Sequence, residues 1–109
     1  MIKEIRIYRT KTGKIPFIEW IEAVKDSIGR AQINNRLNRI KLGNFGDCEN
    51  VGKGVKELKI HYGPGYRVYF AEQDRSILLL LVGGNKRTQQ KDIKLAQEYL
   101  ADFKERCYD

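Results

Sequence analysis

Apolar and polar positions change period along the chain, and the changes divide it into elements. Ile5, Arg6, Ile7 and Tyr8 alternate, which predicts a first strand within Ile2 to Tyr8. A polar stretch from Thr10 to Lys14 follows, and Pro16 stands where proline is best tolerated, in the first turn of a helix. Phe17, Trp20, Ile21, Val24 and Ile28 recur at three- and four-residue steps, with Glu19, Glu22 and Asp26 off that stripe, so this helix faces a core. Gly29 predicts a break. A second helix from Arg30 to Leu42 carries Ile33, Leu37 and Ile40 on one side and Asn35, Arg36 and Arg39 on the other, giving an αα-hairpin with a solvated arginine face. Gly43 to Gly54, rich in Gly, Asn and Asp, reads as a loop.

From Val55 the period drops to two. Leu58, Ile60 and Tyr62 point one way, and Glu57, Lys59 and His61 the other; beyond Gly63-Pro64-Gly65, Tyr66, Val68 and Phe70 alternate with Arg67, Tyr69 and Ala71. A three-residue connection that pairs Tyr62 with Tyr66 keeps the apolar members on one face, and it sets His61 opposite Arg67 and Lys59 opposite Tyr69. After a turn at Gln73-Asp74-Arg75, Ser76 to Val82 is apolar at consecutive positions, the pattern of a central strand covered on both faces. Running antiparallel to the strand before it, this strand delivers Asn85, Lys86 and Arg87 beside Arg67 and His61. Thr88 then caps a last helix whose stripe Ile93, Ala96, Leu100 and Phe103 faces the core as far as Cys107. The expected fold class is α+β, one domain over residues 1–109, with a small antiparallel sheet, an N-terminal αα-hairpin and a C-terminal helix in the order β-α-α-β-β-β-α.

Charge adds a partner class. With 21 Lys+Arg against 14 Asp+Glu the chain carries a formal charge of +7, which favours an anionic partner. Its longest apolar run, Ile77 to Val82, is too short to span a bilayer, and no signal-peptide pattern opens the chain. A soluble, cytoplasmic protein without a membrane partner is expected. Cys48 and Cys107 match no metal or redox spacing and read as free thiols; one histidine and dispersed carboxylates predict no metal and no cofactor.

Lys59, His61, Arg67, Tyr69, Lys86, Arg87, Gln89 and Lys91 form a cationic, aromatic-bearing set. Guanidinium groups clamp phosphate and stabilise a pentacoordinate transition state, tyrosine stacks an unpaired base, and lysine holds the backbone. Lys86, Arg87 and Lys91 crowd the positive end of the last helix, a placement that an anion relieves. RNA suits this set, because its own 2′-OH can attack the adjacent phosphate given a base, an acid and charge stabilisation. The catalytic candidates are Arg67, Lys86, Lys59 and His61. His61 and Glu57 are candidate bases, with Lys59 or Tyr69 as alternatives where neighbouring cations lower their pKa. Arg87, Tyr69, Gln89 and Lys91 are the RNA-binding candidates.

The motifs ELKIHYGPGYRVYF and GGNKRTQQKDIKLA, on either side of a hydrophobic strand and following the Pro16-Phe17-Ile18-Glu19-Trp20 helix start, resemble the RelE/ParE toxin superfamily, and within it the HigB-like addiction-module killer proteins. The similarity runs from Tyr8 to Leu95. It implies a type II toxin held inactive by a small cognate antitoxin, and a metal-independent endoribonuclease acting on mRNA at the ribosome. The family's arginine after Gly-Tyr falls on Arg67, its basic pair after the last strand on Lys86 and Arg87, and a basic strand position on Lys59. Glu57 stands where the RelE branch has lysine, and Gln89, Gln90 and Lys91 stand where that branch places a tyrosine, so the resemblance assigns no general base. The same fold also carries ParE-like inhibitors of DNA gyrase, and a degenerate toxin that only binds its antitoxin is a third implication.

Overall fold

The computed structural model describes residues 2–107. Its elements are β1 (Glu4–Ile7), α1 (Pro16–Ala23), α2 (Ser27–Lys41), β2 (Cys48–Asn50), β3 (Lys56–Ile60), β4 (Tyr66–Gln73), β5 (Ile77–Asn85), a 3₁₀ turn (Lys86–Thr88) and α3 (Gln89–Cys107). One five-stranded sheet runs β1-β5-β4-β3-β2. The class is α+β as expected, but the sheet is mixed: β1 lies parallel to β5, and the other pairs are antiparallel. β1 pairs with β5, far along the chain, and no tight turn joins the two, so the antiparallel alternation that hairpin connections impose on β2 to β5 does not extend to β1. The Gly-rich stretch also contains a short edge strand, β2, which pairs Cys48 with Leu58, Glu49 with Glu57 and Asn50 with Lys56.

Helices cover both faces of the sheet. Phe17, Val24, Ile33, Leu37 and Ile40 of the hairpin region close on Leu58, Ile60, Tyr66, Val68, Phe70, Leu78 and Leu80. Ala96 and Leu100 of α3 close on Tyr69, Ala71, Leu79, Leu81 and Val82 from the other side. The consecutive leucines of β5 therefore serve two cores, which is why the strand shows no alternation.

The break between α1 and α2 comes earlier than Gly29. Val24 turns to extended backbone, and the Asp26 side chain caps α2 by accepting the Ile28 N–H at 3.0 Å. Ile28 accordingly lies in α2 and is exposed rather than part of the stripe. Gly29 lies inside α2 and is glycine for packing rather than for a break: a Cβ there would meet the Tyr66 ring at 2.8 Å. At the last helix, the Asn85 side chain accepts the Arg87 N–H at 2.9 Å and the Thr88 hydroxyl receives the Asn85 N–H at 3.2 Å, so Asn85 is the cap and Thr88 its reciprocal partner.

The β3–β4 connection holds five residues, His61 to Gly65, rather than three. Ile60 pairs with Tyr66, Lys59 with Arg67 and Glu57 with Tyr69. The shift is by two positions, so every side chain keeps its predicted face while His61 leaves the ladder. The β4–β5 register slips between Tyr69 and Phe70, where Val82 opposes Tyr69 and Leu80 opposes Phe70. This bulge at Leu81 resets the parity of the strand end. Gly83 then faces Trp20 and Gly84 faces Asp92 at the start of α3.

A Cβ on Gly83 would stand 2.1 Å from the Trp20 ring. Gly83→Ala should therefore lose about 1–3 kcal/mol of stability through overpacking, read as a lower urea midpoint at unchanged slope; a midpoint equal to wild type would mean that Trp20 is free to move aside.

Candidate functional site

Glu57 and Lys59 on β3, and Arg67 and Tyr69 on β4, share the sheet face that α3 covers. Lys59 and Arg67 are direct cross-strand partners, a like-charge pairing that costs free energy unless countered. Two carboxylates counter it. Lys59 Nζ reaches Glu49 Oε1 on β2 at 2.7 Å, and this hydrogen bond holds the lysine above its ordinary pKa. Arg67 Nε stands 3.9 Å from Glu57 Oε2.

Glu57 is 1% exposed and Arg67 7%. The Glu57 carboxylate is not left bare: Oε2 accepts from the Tyr69 hydroxyl and from Gln89 Nε2, each at 2.8 Å. Arg67 Nη1 donates to the carbonyls of Gly65 and Tyr66 at 3.2 and 3.4 Å. Burial first, and then the hydrogen bond to Glu57, push the Tyr69 phenol far above its ordinary pKa.

Three of the expected site residues meet. His61, Arg67 and Lys86 line one open depression of about 400 Å³ together with Tyr62 and the Gly63-Pro64-Gly65 corner. The Lys86 N–H donates to Pro64 O at 3.4 Å, which ties the 3₁₀ turn to that corner. Gly65, at φ 79°, is required here twice over: its backbone is left-handed, and a Cβ would meet Lys86 Cβ at 3.3 Å and Arg67 Nη1 at 3.4 Å. The long-range expectation, cations from separate segments gathered beside the corner, is met for these three.

Other placements differ from the expectation. Tyr69 is fully buried and has no face for a base, because α3 covers this side of the sheet. Glu57 is enclosed and is not placed to take a proton from a bound RNA. Gln89 turns inward to Glu57 instead of outward to a ligand. Lys59 is held by Glu49 and does not line the depression. Arg87 and Lys91 are exposed around the start of α3 without lining it. His61 is exposed and pairs through Nε2 with the Asp47 carboxylate. It does not stand opposite Arg67.

Asp47, Glu49 and Arg36 were missed in the sequence. Arg36, assigned there to a solvated face, is half-buried and donates to the carbonyls of Lys59, Phe45 and Asp47; burial is the main cause lowering its pKa. It thereby clips the segment before β2 against the end of β3 and brings Asp47 to His61. The run Asp47 to Asn50 is too short to announce a strand by alternation, and its glycine-rich surroundings point to a loop. Among the described residues no cluster of His, Cys, Asp or Glu can hold a metal ion, and no helix is long and apolar enough to cross a membrane.

No family model matches the chain. It is similar to a protein of Haemophilus influenzae whose description reads "Uncharacterized protein", at 45% identity over 83 residues, which cover 76% of this chain and 84% of that one.

The hydrogen bond from His61 is the leading cause holding the Asp47 carboxyl below its ordinary pKa. A carboxyl depressed in the folded state stabilises it above the unfolded value of about 3.9, and that contribution fades as pH falls through the lower folded value. Asp47→Asn should therefore flatten the acid limb of a Tm-against-pH curve below about pH 4; two curves of equal slope there would exclude the contact in solution.

Proposed function

We propose, for a chain that belongs to one family with the Haemophilus influenzae protein, a toxin of the type II toxin-antitoxin class that cleaves mRNA at the ribosome without a metal ion. The observation that carries this reading is the convergence of His61, Arg67 and Lys86, from three separate segments, on one open depression beside the Gly63-Pro64-Gly65 corner. A phosphodiester seated there meets the Arg67 guanidinium and the Lys86 ammonium, which offset the charge that grows on the phosphorane as the RNA's 2′-OH attacks. His61, oriented by Asp47, is the side chain of the depression proposed to take the proton of the attacking 2′-OH. The negative RNA backbone complements the chain's charge of +7, and a cognate antitoxin bearing acidic and apolar residues suits the same surface. The RelE-like ordering belongs to this proposal too, with β2 as an addition at the sheet edge.

A second reading has its own observation. Lys59 and His61 are each held by a carboxylate, and Arg67 lies against Glu57, an arrangement that also suits a silent module whose cations only bind antitoxin. Expression without a partner separates the two. The endonuclease reading expects growth arrest and defined breaks within translated codons by primer extension, with at least a tenfold loss of cleavage in Arg67→Ala. Intact message in arrested cells with damaged DNA would instead indicate gyrase inhibition, and no arrest the silent module; full toxicity of Arg67→Ala would remove Arg67 from the chemistry.

A further inference from the structure

A carboxylate taken out of water beside a guanidinium is expected to form the best hydrogen-bonded pair it can, because each polar atom left unmet there keeps its full desolvation penalty. Glu57 and Arg67 do not. They stand 3.9 Å apart, Glu57 Oε1 and Arg67 Nε are both buried without a hydrogen-bond partner, and the donors to Glu57 come instead from Tyr69 and Gln89. For stability alone, apolar residues in place of both Glu57 and Arg67 would serve as well or better. The arrangement fixes something other than stability: it sets a negative charge behind Arg67 while Nη1 is held by the carbonyls of Gly65 and Tyr66, at the side of Gly65 that Lys86 also approaches.

We propose that Glu57 is a positioning residue for Arg67: clamped by Tyr69 from β4 and by Gln89 from the first turn of α3, its carboxylate attracts the Nε side of the guanidinium and so orients the Nη end toward the anion-binding depression. This rests on the endonuclease reading for its consequence in catalysis, though not for the contact itself. The clamp joins three elements, so it also fixes the first turn of α3, and with it Lys86, relative to β4. The same charge reduces the mutual repulsion of Arg67, Lys59 and Lys86 while the depression is empty. An RNA phosphate therefore arrives at a site whose cations are already aimed, at the cost of repulsion from the carboxylate behind them.

Glu57→Gln keeps the shape and removes the charge. Three measurements apply: binding of a short single-stranded RNA by fluorescence anisotropy at low salt, steady-state cleavage of ribosome-bound mRNA, and hydrogen exchange of the Arg67 Nε–H, assigned by its disappearance in Arg67→Ala. The variant is expected to bind the RNA about fivefold tighter, because a nearby negative charge is gone. It should also cleave with kcat lowered about tenfold or more and KM not raised, because a loosened guanidinium is misplaced. The Nε–H should exchange faster. A residue that only supported the fold would lower activity without tightening binding. Tyr69→Phe, which retains the carboxylate and the ring but removes one donor, should move exchange and kcat in the same direction by less, and it carries the test where Glu57→Gln fails to fold. Unchanged Nε–H exchange in the folded variants overturns the positioning role whatever cleavage does. Wild-type protein that leaves ribosome-bound mRNA whole overturns the endonuclease reading, while the exchange measurement still decides the contact.

Discussion

Covering both faces of β5 is the constraint from which the architecture follows. Leu78 and Leu80 face one side of the sheet and Leu79 and Leu81 the other, and a strand without a polar face is stable only between two apolar layers. The αα-hairpin supplies one layer and α3 the second. Each closes a separate core, so the sheet is a shared wall and its strands have no solvated face near the centre. Polar side chains in this wall survive only where the helical cover ends or where they find partners under it. Both occur at the Arg67 end of β4, and there the candidate site lies.

The geometry of that end depends on one local irregularity. The bulge at Leu81 gives Leu81 and Val82 to the α3 core and turns Gly83 toward Trp20 and Gly84 toward Asp92. Arg67 pairs across the ladder with Gly84, a neighbour without a side chain, whose place is taken by Asp92 and Thr88 at the start of α3. Without the bulge the parity of these last residues would reverse, and the glycines would no longer coincide with Trp20 and Asp92. The sequence Val82-Gly83-Gly84-Asn85 thus encodes two close approaches and a helix cap in consecutive positions.

Much of this was legible in the residues, and the failures share a cause. Period-two alternation located β3 and β4 and assigned their faces correctly even though the loop between them is two residues longer than expected, because a slip of two preserves parity. Alternation separates one face from the other and says nothing of what each face meets. Tyr69 and Arg67 fall on the face opposite Leu58, Val68 and Phe70, which reads as solvent until α3 is laid over it; the stripe of Ala96 and Leu100 was visible, but its landing place was not. Charge patterning located the basic cluster, yet the carboxylates that hold it, Asp47, Glu49 and Glu57, are distant in sequence or sit in a segment too short to show a strand. Pairing across a sheet is a tertiary property, and no window along the chain contains it.

Those pairings decide what a charge of +7 can do. A basic surface whose cations were all free would attract any polyanion with little selectivity, since the attraction depends on charge number and salt more than on shape. Here Lys59, His61 and Arg67 each face a carboxylate, so an incoming anion has to compete with a contact already made or occupy a direction that the contact leaves open. Exposed pairs such as His61 with Asp47 yield easily, being worth little in water. The Glu57 pair is different, because it is buried and its carboxylate is clamped by two further donors. Arg67 lines the depression together with Lys86 and Gly65. Internal ion pairing thus converts a general attraction into a directional one, and the direction is that of the depression beside the Gly63-Pro64-Gly65 corner.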